Sequence, residues 1–233
     1  MRAARVRGAL RDTAVLTGLA DACQAAGRTR EAVPHLAKVS AANPTDTILA
    51  LKVAALQAWF GQEKDLAATR QQILAAARGT EEVFTAERAA KLCSILPAND
   101  KTVLEAALAF GRTGVRLSQG ELFREWRLLA LGMAEYRSGH FAAADEALQS
   151  AAKGSKDPSL ESISAFYRAM SLFRQGKPDE ARKLAIATAA KMKPLPADEE
   201  NPLAGDPNHD HLILWLAYKE AKALLQLDVR QAT

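Results

Sequence analysis

The chain has 233 residues, 48% of them apolar, with 31 Lys and Arg against 27 Asp and Glu interspersed along it. Aromatics make up only 6% while Ala and Leu abound, a mixture that favours helix over strand and allows one large or two small domains with a buried core. No apolar run reaches the ~18 residues needed to span a membrane. Cys23 and Cys93 form no Cys-x-x-Cys pair, and Asn43-Pro44-Thr45 is barred from glycosylation by its proline. The expected setting is cytoplasmic and reducing, with both cysteines as free thiols in helices.

In chain order, residues 1–12 form a basic segment, with Arg2, Arg5, Arg7 and Arg11 ahead of the first acid, Asp12. It reads as the remnant of an upstream helix; a transit peptide or a nucleic-acid-binding arm are the alternatives. Residues 13–46 predict a helix–turn–helix unit. Leu16, Leu19, Ala20 and Cys23 share a face of its first helix, Gly27 turns the chain, Ala32, Leu36 and Val39 follow, and Pro44 closes it. Residues 47–80 repeat the pattern more weakly, with Arg70 where an apolar residue is expected; Gly27 and Gly61 lie 34 residues apart. Residues 81–120 predict an irregular pair, broken at Pro97, restarted by Asp100 as a cap, and frayed near Gly111 and Gly114. Residues 125–158 and 162–195 predict two more pairs, turning at Gly139 and Gly176. A loop over 196–209 follows, with prolines at 196, 202 and 207 after Pro194. Asp210 is the expected cap of a last helix over 210–233 and its tail, which covers the open edge of the fifth pair while Lys219, Glu220 and Lys222 face water.

A 34-residue unit with a large apolar residue, a Leu–small pair, Ala slots and a closing Pro resembles the tetratricopeptide repeat (TPR). Small residues such as Ala20 and Ala32 sit where two helices must approach closely. The resemblance implies an all-α, right-handed TPR-type α-solenoid of five antiparallel helix pairs with a C-terminal capping helix. A closed bundle does not explain the spacing. Four longer segments, 49–70, 129–141, 166–184 and 211–225, resemble the TPR tails of large bacterial serine/threonine protein kinases. That likeness implies a kinase-associated module. The chain itself carries no Gly-rich loop, Val-Ala-Ile-Lys, His-Arg-Asp or Asp-Phe-Gly motif, so no catalytic residue transfers.

No catalytic, cofactor-binding or metal-binding residues are assigned. The group His209, Asp210, His211 and Asp206 spans a loop and a helix start without a ligand motif, and no Ser or Cys has a recognisable His/Asp arrangement. The expectation is a non-enzymatic protein-interaction scaffold with a peptide or protein partner on its concave face. Candidate groove residues recur at matching repeat positions: Trp126, Leu129, Met133, Tyr136 and Arg137 in the fourth unit, and Phe166, Met170, Phe173 and Arg174 in the fifth, with Ile163 beside them. Aromatics and Met flanked by Arg are interface-type residues, and Arg pairs bidentately with carboxylates. The uncapped N-terminal edge offers self-association. The alternative function is nucleic-acid binding through the basic N-terminal segment, with the solenoid as spacer.

Overall fold

The computed structural model describes residues 2–118, 122–205 and 208–227, without the side chains of residues 2–11. The arginine side chains of the basic N-terminal segment, Asp206, Pro207 and the tail from 228 therefore lie outside what is described.

The described residues form eleven helices and no strand. The first ten make five antiparallel pairs: α1 (Arg2–Ala25) with α2 (Thr29–Ala42), α3 (Thr47–Trp59) with α4 (Glu63–Ala76), α5 (Val83–Ser94) with α6 (Lys101–Leu117), α7 (Arg124–Arg137) with α8 (Phe141–Gly154), and α9 (Pro158–Arg174) with α10 (Pro178–Ala189). The last helix is α11 (His209–Leu225). Helix starts are set by side chains that accept orphan backbone N–H groups. Asp46 caps α3, Glu82 caps α5, Asp100 caps α6 and Asp157 caps α9. The turn glycines Gly27, Gly61, Gly139 and Gly176 all take positive φ, between 67° and 80°, a conformation that a Cβ disfavours.

Small residues bring the helices close. A Cβ added at Gly132 of α7 would lie 2.4 Å from Leu148 Cγ of α8, so only glycine permits this crossing. The expected fraying around Gly111 and Gly114 is not found. Both glycines are buried in α6; a Cβ at Gly111 would lie 3.0 Å from Leu131 Cα of α7, and one at Gly114 would face the Glu87 backbone of α5. They mark a seam where α6 presses against its neighbours. Arg70, which stands in an apolar slot, is buried and donates to the carbonyls of Leu96 (2.5 Å) and Pro97 (3.3 Å), tying α4 to the irregular connection after α5.

Two expectations for the C-terminal helix are corrected. Asn208, not Asp210, is the cap: its side chain accepts from the N–H groups of Asp210 and His211, and the His211 ring accepts from Asn208 N–H. The helix also does more than cover the fifth pair. It packs on α9 and α10 but also on α3, and Leu212 to Tyr218 are buried without interruption. A helix apolar on every side belongs in an interior. It lies in a channel between α3, α9 and α10, and side chains of α5 and α7 reach it.

Candidate functional site

The channel is built around α11 by stacked aromatics and two buried ionic knots. Trp215 of α11 meets Trp59 of α3 with ring centroids 5.8 Å apart, and Tyr218 meets Phe166 of α9 at 5.5 Å. Tyr136 and Tyr167 stand edge-to-face at 5.5 Å behind them.

The first knot is Arg137, whose side chain is 4% exposed. It grips Glu220 of α11 through Nη1 (2.5 Å) and Nη2 (2.6 Å), donates from Nε to Ser94 O (2.9 Å) and from Nη2 to Ile95 O (2.8 Å), and meets the Tyr167 hydroxyl at 3.0 Å. Those carbonyls end α5, where the helix dipole favours a cation. Burial alone would depress the Arg137 pKa, but Tyr167 and Glu220 outweigh it and hold the group well above its ordinary value. Burial pushes the Tyr167 hydroxyl up, so it stays a neutral donor, here to Ser94 O and Ile95 O. The second knot is Lys91 of α5, buried between Glu87 (2.8 Å) and Asp210 (3.3 Å) and lying 4.4 Å above the Trp126 ring. Burial opposes its charge, yet Asp210 and Glu87 overrule that and raise its pKa. Asp210 is shifted the other way: burial pushes it up, and Lys91 and His209 bring it below the usual carboxylate range.

The loop before α11 carries the same clasp to the first pair. Glu200 receives Arg30 of α2 at 2.8 and 2.9 Å, Thr29 Oγ1 donates to Asn201 Oδ1 (2.6 Å), and Trp59 Nε1 donates to Glu199 O (2.9 Å). Lys219 bonds Glu199 at 2.9 Å and sits 3.9 Å over Trp59.

The candidate groove residues therefore do not line an open surface. Leu129, Met133, Tyr136, Phe166 and Met170 are buried, as is Ile163, while Trp126 and Phe173 are half-buried. Arg137 is interior, and its carboxylate partner belongs to this chain. Arg174, its repeat equivalent, is exposed beside the Tyr136 hydroxyl. Glu220, expected to face water, is the partner of Arg137. His209, Asp210 and His211 are spent on the Lys91 knot and the helix cap, and no group of three or more His, Cys, Asp or Glu among the described residues is placed to hold a metal. Both cysteines are free, and burial pushes the Cys93 thiol up to about 12. Among the described residues no helix is long and apolar enough to cross a membrane.

What stays open is one end of the channel, where α3, α5, α7 and α11 all begin. A pocket of about 230 Å³ lies there, between Ile48 and Phe84 on one side and Phe123 and Trp126 on the other, with Arg127 in its wall. Ile48 is 47% exposed, Phe84 42%, Phe123 55% and the adjacent Leu122 83%. Phe123 precedes α7 with φ at +65°, which a bulky side chain adopts only under constraint. The constraint is Arg127, 2% exposed, whose Nη1 donates to the carbonyls of Leu122 and Phe123. Its guanidinium also lies 4.6 Å from the centre of the Phe84 ring. The sequence offered no sign of this patch. Its members are Ile48, Phe84 and the pair Leu122-Phe123 at three helix starts, brought together by the stacking of the pairs.

Fold and channel together define an all-α array of five antiparallel helix pairs, stacked in chain order, whose channel is filled by its own last helix. No protein-family model matches the chain, and no curated protein matches it. Among solved structures, the crystal structure of the yeast Tom70 is similar at 17% identity with a TM-score of 0.45, over 94% of this chain and 41% of that one. The chain thus spans about two fifths of that protein's length.

Proposed function

We propose that the chain is a non-catalytic protein-interaction scaffold whose partner docks at the open end of the channel, on Ile48, Phe84, Leu122 and Phe123. The observation that carries this reading is their gathering. Of the eight large apolar side chains exposed among the described residues, four crowd the starts of α3, α5 and α7. Scattered apolar residues are ordinary on a surface, whereas a contiguous group marks a contact site. The concave face, which a TPR-like array offers a peptide, is taken by α11. A partner on Arg137 and its neighbours would have to displace a helix buried from Leu212 to Tyr218. The likeness to kinase tails fits the same role, a module that contributes contacts and leaves chemistry to others.

The test is affinity capture from source lysate with the wild-type chain, the double variant Phe84→Ser/Phe123→Ser, and Ile186→Ser as a control on an exposed residue elsewhere. A protein held by wild type and control but lost from the double variant is the expected result. Equal capture by all three rejects the patch. Self-association is a second reading, favoured by Val15 (63% exposed) and Leu19 (45%) on the outer face of α1. Sedimentation velocity over a hundredfold concentration range decides it.

A further inference from the structure

Buried cations in this protein are matched. Arg137 has Glu220, and Lys91 has Glu87 and Asp210. Arg70 has no carboxylate, but Nη1 and Nη2 are both spent on carbonyls just beyond α5's C-terminal end, where a helix dipole favours positive charge. Arg127 differs from all three. It is buried to the same degree, and among the described residues no carboxylate pairs with it. It lies in the first turn of α7, the positive end of a helix, where a cation is disfavoured. Both of its hydrogen bonds leave from Nη1, and its Nε has no partner. Nε is sealed from solvent, so Nη2 is the guanidinium nitrogen left for a further bond.

The surroundings sharpen the vacancy in charge. Asp46 and Glu82 serve as caps of α3 and α5, and Arg88 lies near Glu82 while donating to Thr47 Oγ1 at 3.1 Å. Glu87 and Asp210 are engaged by Lys91. What remains, among the described residues, is a buried guanidinium without a carboxylate in the wall of a pocket whose rim is Phe84, Phe123 and Ile48. Two carbonyls and the Phe84 ring offset its burial only in part, and an incoming carboxylate would gain both the ion pair and the shelter of the apolar rim.

We propose that this pocket receives an Asp or Glu side chain from the partner, presented next to an apolar residue, with Arg127 as its counter-ion. The inference rests on the docking reading above and adds the chemistry of the docked segment. The apolar neighbour covers Phe84 and Phe123, and the carboxylate takes Nη2.

The probe is 3-phenylpropionate, which joins a carboxylate to an aromatic body, compared with its uncharged amide. Both are titrated into the intact chain and followed by ¹H–¹⁵N spectra that include the arginine Nε–H signals. The acid is expected to bind saturably and to move the Arg127 Nε–H resonance, with the amide weaker by about tenfold or more. Arg127→Lys keeps the charge but loses the fixed planar donor, and should weaken the acid by about tenfold while leaving the amide alone. Should that variant misfold, the Nε–H signal of the wild type carries the test. Equal binding of acid and amide, or an Arg127 signal that stays still, overturns the proposal. If the probe fails while Phe84→Ser/Phe123→Ser still abolishes capture, the docking surface stands and the carboxylate falls. If the probe binds while capture ignores that double variant, the anion site stands and the docking reading falls.

Discussion

Arg137 and Arg174 occupy the same position in adjacent repeats, each at the end of a first helix and each after an aromatic residue. One is an interior hub and the other a surface charge. The difference comes from α11, which crosses the end of α7 and brings Glu220 onto Arg137, while at the end of α9 it leaves Arg174 in water. Repeat position therefore sets where a side chain starts. Whether it becomes structure depends on what the rest of the chain lays over it.

The widest gap should appear on truncation. Arg137→Ala leaves Glu220 without its cation and the Tyr167 hydroxyl without a donor, and should cost about 3–5 kcal/mol, the range for breaking one side of a buried pair. Chemical denaturation monitored by circular dichroism measures it. A loss below about 1 kcal/mol would make the two arginines alike and break the comparison. Gly132→Ala probes the crossing that lets α7 sit beside α8. It should destabilise by about 1–3 kcal/mol through overpacking against Leu148, read from the same curves.

A third measurement tests the second knot through pH. Burial first of all lowers the His209 pKa, helped by Lys91 and Arg88 and opposed by Asp210 and Glu87. The folded state then binds fewer protons than the unfolded chain below about pH 6.5, the ordinary histidine value, and stability falls with acid. Asp210 has a depressed folded pKa, so its contribution is present above the unfolded carboxylate value and is lost as pH falls through the folded one. Lys91 works at the other end: its raised pKa contributes fully below the unfolded lysine value and is lost as pH climbs past the folded one. Melting temperature should thus hold across neutral to mildly alkaline pH and drop in two stages on acidification. His209→Asn should remove the stage that begins near pH 6.5 and spare the lower one. An unchanged profile in that variant rejects the assignment. The smallest effect is expected from Arg174→Ala, under about 1 kcal/mol, as for an exposed charge.

Much of the architecture was legible because it is local. Glycines at 27, 61, 139 and 176, the alanines facing across each pair, and Asp100 after Pro97 announce turns, crossings and caps within a few residues of where they act. The position of α11 was not, although its signal was present. Seven successive apolar residues from Leu212 to Tyr218 describe a helix enclosed on all sides, and reading them as a one-sided lid assigned Glu220 to solvent. The partner of Arg137 stands 83 residues away in the sequence, and that of Arg30 170 away. No periodicity links groups at such distances. The patch at the channel's end was hidden for the same reason, and the turn at Phe123 depends on a buried arginine that sequence patterns place on a surface by default.

The clasp also has a consequence for synthesis. Helices α1 to α10 emerge from the ribosome before α11 does, so for that interval the channel stands empty, with Lys91 and Arg137 lacking Asp210 and Glu220 and the rings of Trp59 and Phe166 facing water. Neighbour-to-neighbour packing lets the pairs assemble early. The closing step must wait for residues 194–225 to return across the whole array and reach Arg30 and Thr29. Until then the nascent protein presents a surface that its finished form never shows, and the interval before closure is when it is most open to capture by other chains.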